Sequence, residues 1–179
     1  MYLGLDVSSS RIGCCLLKED GEYFDAAVID LTSAKTLDDK FYLFKEKLFW
    51  HIPHMPHVIK VFVEEAPMMF GSGSSAHVMS MLQRFNGMIC ALFMTQAWTP
   101  DLISANHARK LVGISFPRKR VKKETKMCIV NHIRDHNLMP GYEWQYKRTG
   151  TLKDHCFDAA DAYVIARAGY LLYGPNPVS

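Results

Sequence analysis

From Tyr2 to Val7 the chain reads YLGLDV, a short and largely apolar run of the kind a buried strand needs. Arg11–Lys18 (RIGCCLLK) has the same character, and the Asp-Gly turn within EDGE joins it to Tyr23–Leu31 as a hairpin. Over Thr36–Ile52 the period changes. Leu37, Phe41, Phe44, Leu48 and Phe49 fall along one helical face, and Pro53 and Pro56 stop the helix. Val58–Val63 is β-branched and apolar, a further central strand that ends in Glu64-Glu65 before Pro67. The flexible loop Phe70–Ser75 leads into a long helix, Ala76 to Ala97. Asp101–Ser104 is a short strand, Asn106–Val112 a short helix and Gly113–Lys119 a loop. Lys122–Asn137 is a helix ending before Pro140, and Asp154–Leu172 is the last. This order predicts an α/β domain, a mixed five-stranded sheet covered by helices. No repeat, linker or low-complexity tract interrupts residues 1–179, so one domain is expected.

The last helix contains an anomaly. DHCFDAADAYVIARAGY is rich in Ala, Val, Ile, Tyr and Phe, yet Asp154, Asp158 and Asp161 fall within a narrow arc of one face. Carboxylates so placed repel one another and resist burial, so something electropositive must compensate them.

Composition narrows the setting. The five cysteines form no CxxC pair, which argues against a zinc ribbon or a disulfide framework and suits a reducing cytoplasm. No run of about 18 apolar residues and no secretory signal pattern is present, so no membrane partner is expected. The net charge is only +3, but between Asn106 and Lys126 eight Lys or Arg stand against the single acid Glu124. The rest of the chain is net acidic. Such a block fits a polyanion, and equally a solvated basic loop.

Acids stand at element boundaries in three separated segments: Asp6 near the end of the first strand, Glu64 at the end of the fourth, and Asp158 with Asp161 on the last helix. If the two strands are neighbours, these carboxylates share one edge of the sheet. With no cysteine or paired histidine among them, the set suits a hard, oxygen-loving cation, magnesium or manganese. Two such ions would serve an in-line phosphoryl displacement.

In this order the motifs resemble the RuvC-type Holliday-junction resolvases of the ribonuclease H-like nucleases. LGLDVSSSRIGCCLL is similar to the family's first strand with its catalytic Asp and the strand after it, and VFVEEAP to the strand bearing the catalytic Glu. ISANHARKLVGI resembles the fifth strand and following helix, RVKKETKMCIVNHI the basic helix start that touches DNA, and FDAADAYVIA the closing D-x-x-D-A helix. The resemblance implies a ribonuclease H-like fold and a homodimeric endonuclease that nicks four-way DNA junctions in pairs, leaving 5′-phosphate and 3′-hydroxyl ends. It makes Asp6, Glu64, Asp158 and Asp161 both the catalytic residues and the ligands of two Mg2+ ions, with Mn2+ as a substitute.

By the same mapping Lys123, or Lys122 one residue before it, resembles the DNA-contacting lysine near the active site. Arg118, Lys119, Arg120 and Lys126 complete a DNA-binding block. Val7-Ser8-Ser9 replaces the Pro-Gly usual in cellular enzymes and is closer to bacteriophage-type relatives, so a bacterial cytoplasm is the expected location, with a cell or a phage as the source. In the loop EAPMMFGSG, Met69 or Phe70, or neither, takes the place of the aromatic wedge that enters the junction centre. Other branched DNA, an RNA–DNA hybrid, and a non-catalytic junction-binding role are the alternatives.

Neighbouring groups have plainer readings. Strand alternation sends Glu64 and Glu65 to opposite faces, so Glu65 is expected at the surface or behind Glu64. Asp154 is expected to cap the last helix rather than bind metal. His155 is a candidate proton carrier beside the site. His51, His54 and His57 lie in a proline-broken loop, and His132 and His136, although one turn apart, lack a third ligand. Cys14 and Cys15 read as small core residues.

Overall fold

The structure is a computed structural model and describes residues 1–66, 75–116 and 122–177, the side chains of residues 122 and 123 excepted. Met69, Phe70, Arg118, Lys119 and Arg120 lie outside the described residues, as do the side chains of Lys122 and Lys123.

Five strands form one sheet in the order β3-β2-β1-β4-β5. They are β1 (Tyr2–Val7), β2 (Arg11–Leu17), β3 (Tyr23–Asp30), β4 (Lys60–Glu64) and β5 (Asp101–Ile103). The hairpin strands β1, β2 and β3 are antiparallel, whereas β4 joins β1 and β5 joins β4 in parallel. The parallel joins need crossovers, and helices supply them. The helices are α1 (Leu37–His51), α2 (Ala76–Met94), α3 (Ala105–Leu111), α4 (Lys122–Asp135) and α5 (Asp154–Tyr173). Thr36 and Asp39 close a capping box on α1, and Ser75 and Ser104 cap α2 and α3 through their hydroxyls. A short 3₁₀ turn, Met55–His57, occupies the histidine-proline segment.

Because the side-chain period of a strand is two, each strand serves two cores. Leu3, Leu5 and Val7, with Ile12, Cys14, Leu16, Val61 and Val63, pack against Phe44 and Leu48 of α1 and Phe85, Ile89 and Phe93 of α2. Tyr2, Cys15, Leu17 and Phe62 face the other way, onto Ala108 of α3, Ile129, Val130 and Ile133 of α4, and Ala162 and Ala166 of α5. Asp6, Arg11 and Glu64 fall on this second face by the same alternation.

Helix α5 lies unusually near the sheet because glycine faces it. A side chain on Gly4 would begin 2.4 Å from the backbone nitrogen of Ala166, and one on Gly13 would begin 2.1 Å from the carbonyl oxygen of Asp158. On the helix, Gly169 leaves room for the Phe62 ring. All five cysteines are free thiols, Cys14, Cys15 and Cys156 being buried. Among the described residues no helix is long and apolar enough to cross a membrane.

Candidate active site

Parallel pairing sets Leu5 opposite Val63, and the same register carried one residue further places Asp6 beside Glu64. Their carboxyls are electrostatic neighbours, each bearing on the charge of the other. Both residues keep partial access to solvent. Burial nevertheless pushes the Asp6 carboxyl well above the usual range, and the negative Glu64, Asp161 and Asp158 add to the effect. Burial also raises Glu64, and Asp161 adds to it, while the Asp6 hydrogen bond, Arg109 and Lys126 oppose the rise.

Asp158 and Asp161 reach the same place from α5, and each is only 7% exposed. Their positions follow from the glycine contacts, since the Asp158 carbonyl rests directly on Gly13, the partner of Asp6 in the β1–β2 ladder. Arg11 Nε donates to Asp158 Oδ2 at 2.5 Å. Lys126 Nζ stands between the two helix acids, 3.4 Å from Asp158 Oδ1 and 3.6 Å from Asp161 Oδ2. Arg109 Nη2 lies 3.6 Å from Asp161 Oδ1. Burial raises the Asp161 pKa despite the opposing pull of Lys126 and Arg109. Burial works against the charge on Lys126, but Asp161, Asp158 and Asp6 together hold its ammonium more firmly protonated than usual.

The compensation required by the helix acids therefore comes first from the protein. Arg11 and Lys126 neutralise Asp158, and Lys126 and Arg109 share Asp161. Asp154 departs from expectation. Lys153 is the N-cap residue of α5 and makes no side-chain cap, and Asp154 is the first residue inside the helix. A negative charge there favours the helix dipole, and Asp154 pairs with Lys147 at 2.9 Å, away from the cluster. Glu65 uses its backbone to bond Ile103 of β5 at 3.0 Å, beyond the end of β4. His155 lines an open cleft with Tyr23, Asp25 and Tyr142 on the outer side of the sheet. The rings of His132 and His136 stack 4.4 Å apart on α4.

Three groups at the site were not singled out in the sequence. Arg11 and Arg109 are two of them. Alternation along β2 puts Arg11 on the face of Gly13, a signal present in RIGCC; Arg109 stood within the basic block without a role. The third is Asn86 of α2, a buried amide that donates to the Glu64 carbonyl at 2.7 Å and so ties the end of β4 to the opposite layer.

The donors at this edge are oxygens only, the chemistry that Mg2+ and Mn2+ prefer. As the side chains stand, no three His, Cys, Asp or Glu among the described residues are gathered into a group able to hold a metal ion. Lys126 lies between two of the acids as a cation in its own right. The donor chemistry thus fits a divalent ion, and Lys126 marks a place where positive charge is already favourable.

No protein-family model matches the sequence. No curated protein matches it significantly. Solved structures do. Thermus thermophilus RuvC in complex with a Holliday junction substrate superposes with a TM-score of 0.64 at 10% identity, covering 96% of this chain and 92% of that one. A second structure of Thermus thermophilus RuvC gives a TM-score of 0.60 at 11% identity, over 96% and 93% of the two chains. The yeast mitochondrial Holliday junction resolvase Ydc2 gives 0.60 at 16% identity, over 93% of this chain and 76% of its own. Strand order, helix placement and near-complete coverage agree: this chain has the ribonuclease H-like fold of the RuvC-type resolvases.

Proposed function

We propose that the chain is a member of the RuvC-type resolvases, a homodimeric endonuclease that cuts four-way DNA junctions by paired phosphodiester hydrolysis. Fold alone does not carry an activity, so the reading rests on the site. Its single strongest support is the meeting of four carboxyls from β1, β4 and α5 at one edge of the sheet, where each of Asp6, Glu64 and Asp161 has its pKa raised by burial and feels the charge of another of the four. A purely structural role gives no reason to crowd acids at such an electrostatic cost.

Asp6, Glu64, Asp158 and Asp161 are the residues that would hold two divalent cations, Mg2+ or Mn2+. When bound, such ions supply Lewis-acid stabilisation of the phosphate and an activated water. The protein's own groups have separate work. Arg11 orients the Asp158 carboxylate, and Asn86 fixes the strand end that carries Glu64. Lys126 and Arg109, at the mouth of the acidic cluster, offset its repulsion of a DNA backbone and set a phosphate against it. Such contacts read no base sequence, so selectivity for a junction comes from shape and from two sites related by the dimer.

The test is cleavage of a synthetic four-way junction with and without magnesium, the nicks being mapped on every strand. The reading expects paired symmetric nicks only with the metal, and an Asp158→Asn variant that still binds the junction but cleaves at least about 100-fold more slowly, a loss that even groups behind a metal's ligands can reach. Linear duplex cut as readily as the junction removes the structural selectivity. Preferential cleavage of an RNA–DNA hybrid or a flap moves the chain to another substrate. Unchanged cleavage by Asp158→Asn overturns the site.

A further inference from the structure

A cleft of about 720 Å3 opens beside the carboxylate cluster, and Arg11 and Lys126 belong to both. Its size lies within the range of pockets that hold small organic groups. It is walled by the helices α4 and α5 and by the short hairpin in which Tyr146 bridges Leu152. Arg134 and Lys147 add two more cationic side chains to its lining, and Tyr146 and Phe157 add aromatic ones; the one acid there, Asp154, pairs with Lys147 at 2.9 Å and leaves the cleft a positive excess. Tyr146 is 48% exposed, so its ring is not spent on the core. The Lys126 ammonium stands 5.9 Å from the centre of the Phe157 ring, so charge and aromatic surface adjoin there.

We propose that this cleft seats one nucleotide of the DNA strand that crosses the carboxylate site, its base against Phe157 and Tyr146 and its phosphate toward Arg134 and Lys147. The occupant follows from charge and shape. Four cations around an aromatic floor match a phosphate joined to a flat ring, and sharing Arg11 and Lys126 with the acids makes the cleft continuous with the place where a backbone phosphate would be cut. The neighbouring open cleft around Tyr23 and His155 offers a contrast, because its four acids, Asp25, Asp30, Glu143 and Asp154, outnumber Arg11, Lys147 and Lys153 and leave it no excess of positive charge for a phosphate. Stacking tolerates any base, so the cleft fixes the path and register of the strand without reading its sequence.

This inference rests on the chain being a DNA-cleaving enzyme, and its test separates the two. Four-way junctions, and single strands of the same sequence, are made with one abasic nucleotide moved stepwise through the strand. Binding is measured in chelator, so that no cutting intervenes. The parent is expected to lose roughly 5- to 100-fold in affinity when the abasic nucleotide sits at one particular position, the effect of one lost stack. In Tyr146→Ala and Phe157→Leu the same abasic substitution is expected to cost much less, because the partner ring is gone. Phe157→Leu retains an apolar side chain under the helix, and the comparison of intact with abasic DNA is internal to each variant, so a general loss of fold cannot imitate the result. Equal abasic penalties in parent and variants, or no penalty at any position, overturn the proposal. The same pattern on single strands without preference for junctions upholds the cleft and removes the junction reading. Failure to bind either DNA removes both.

Discussion

The backbone carbonyl of Asp158 occupies the space where a side chain on Gly13 would start, 2.1 Å from the position of its first carbon. A contact this close lets α5 settle onto β1 and β2, and it brings the Asp158 and Asp161 carboxyls down to the ends of β1 and β4. An alanine at position 13 has no flexible neighbour to displace, since it meets backbone. Gly13→Ala is therefore expected to lower stability by about 1–3 kcal/mol or more. Thermal unfolding reads this as a fall of roughly 2–4 °C per kcal/mol, and magnesium-dependent cleavage should fall with it even at temperatures where the variant is folded. A variant as stable and active as the parent would mean that the helix approach is not set by this glycine.

The crowding of Asp6, Glu64 and Asp161 has a consequence for pH. All three have pKa values raised in the fold, chiefly by burial. Above about pH 4 the unfolded chain has shed protons that the folded chain still holds, so fewer protons are bound in the unfolded state and stability declines as pH rises. In chelator the melting temperature should consequently fall between pH 5 and pH 8. Asp6→Asn removes one of the coupled acids while its amide can still donate to Glu64, so its decline should be shallower. Added magnesium should restore more stability at pH 8 than at pH 5. Parallel pH curves for parent and variant would mean that Asp6 is not the group whose burial sets the decline.

Lys126 serves two partners. It pairs with Asp158 and Asp161; calcium held by those carboxylates would free its ammonium for a DNA phosphate. Lys126→Met is expected to weaken junction and duplex binding by the same factor in calcium. It should also reduce the slope of log affinity against log salt by about 0.9, the loss of one phosphate contact. An unchanged salt slope would confine Lys126 to holding the acids in place.

Asn86 gives a separate handle on Glu64. Its amide is buried, donates to the Glu64 carbonyl at 2.7 Å and accepts from the Cys90 thiol at 3.7 Å. Asn86→Leu should cost about 1–3 kcal/mol through the lost donor to a carbonyl at the strand end. The magnesium concentration needed for half-maximal cleavage should rise by roughly 10- to 100-fold, as when groups behind a metal's ligands are removed. Loss of stability with an unaltered magnesium requirement would make Asn86 a core residue only.

Much of this molecule could be read along the chain. Strand and helix identities follow from local period: the apolar run at Tyr2–Val7, the Asp-Gly turn before Tyr23 and the proline stop after α1 need no distant partner to be understood. That Glu64 and Glu65 leave β4 on opposite faces was also local, but which face α5 covers was not, and Glu64 was preferred for its place after the apolar run and by the family resemblance. The charge balance of the site was not local. Arg11 comes from a strand 147 residues before Asp158, and only the approach of α5 across Gly13 makes them partners. Lys126 and Arg109 belong to a basic block that looks uniform in sequence, yet the packing of α3 and α4 against α5 turns these two inward. The N-terminus of α5 was misjudged for a similar reason: Lys153 takes the N-cap position, and Asp154, inside the first turn, meets Lys147 of the preceding hairpin, a partner invisible in local sequence. Sequence by itself determined which groups carry charge and on which face of each element they lie. Tertiary structure decided which charges meet, because electrostatic energy depends on distances and burial that exist only after the two layers have closed on the sheet.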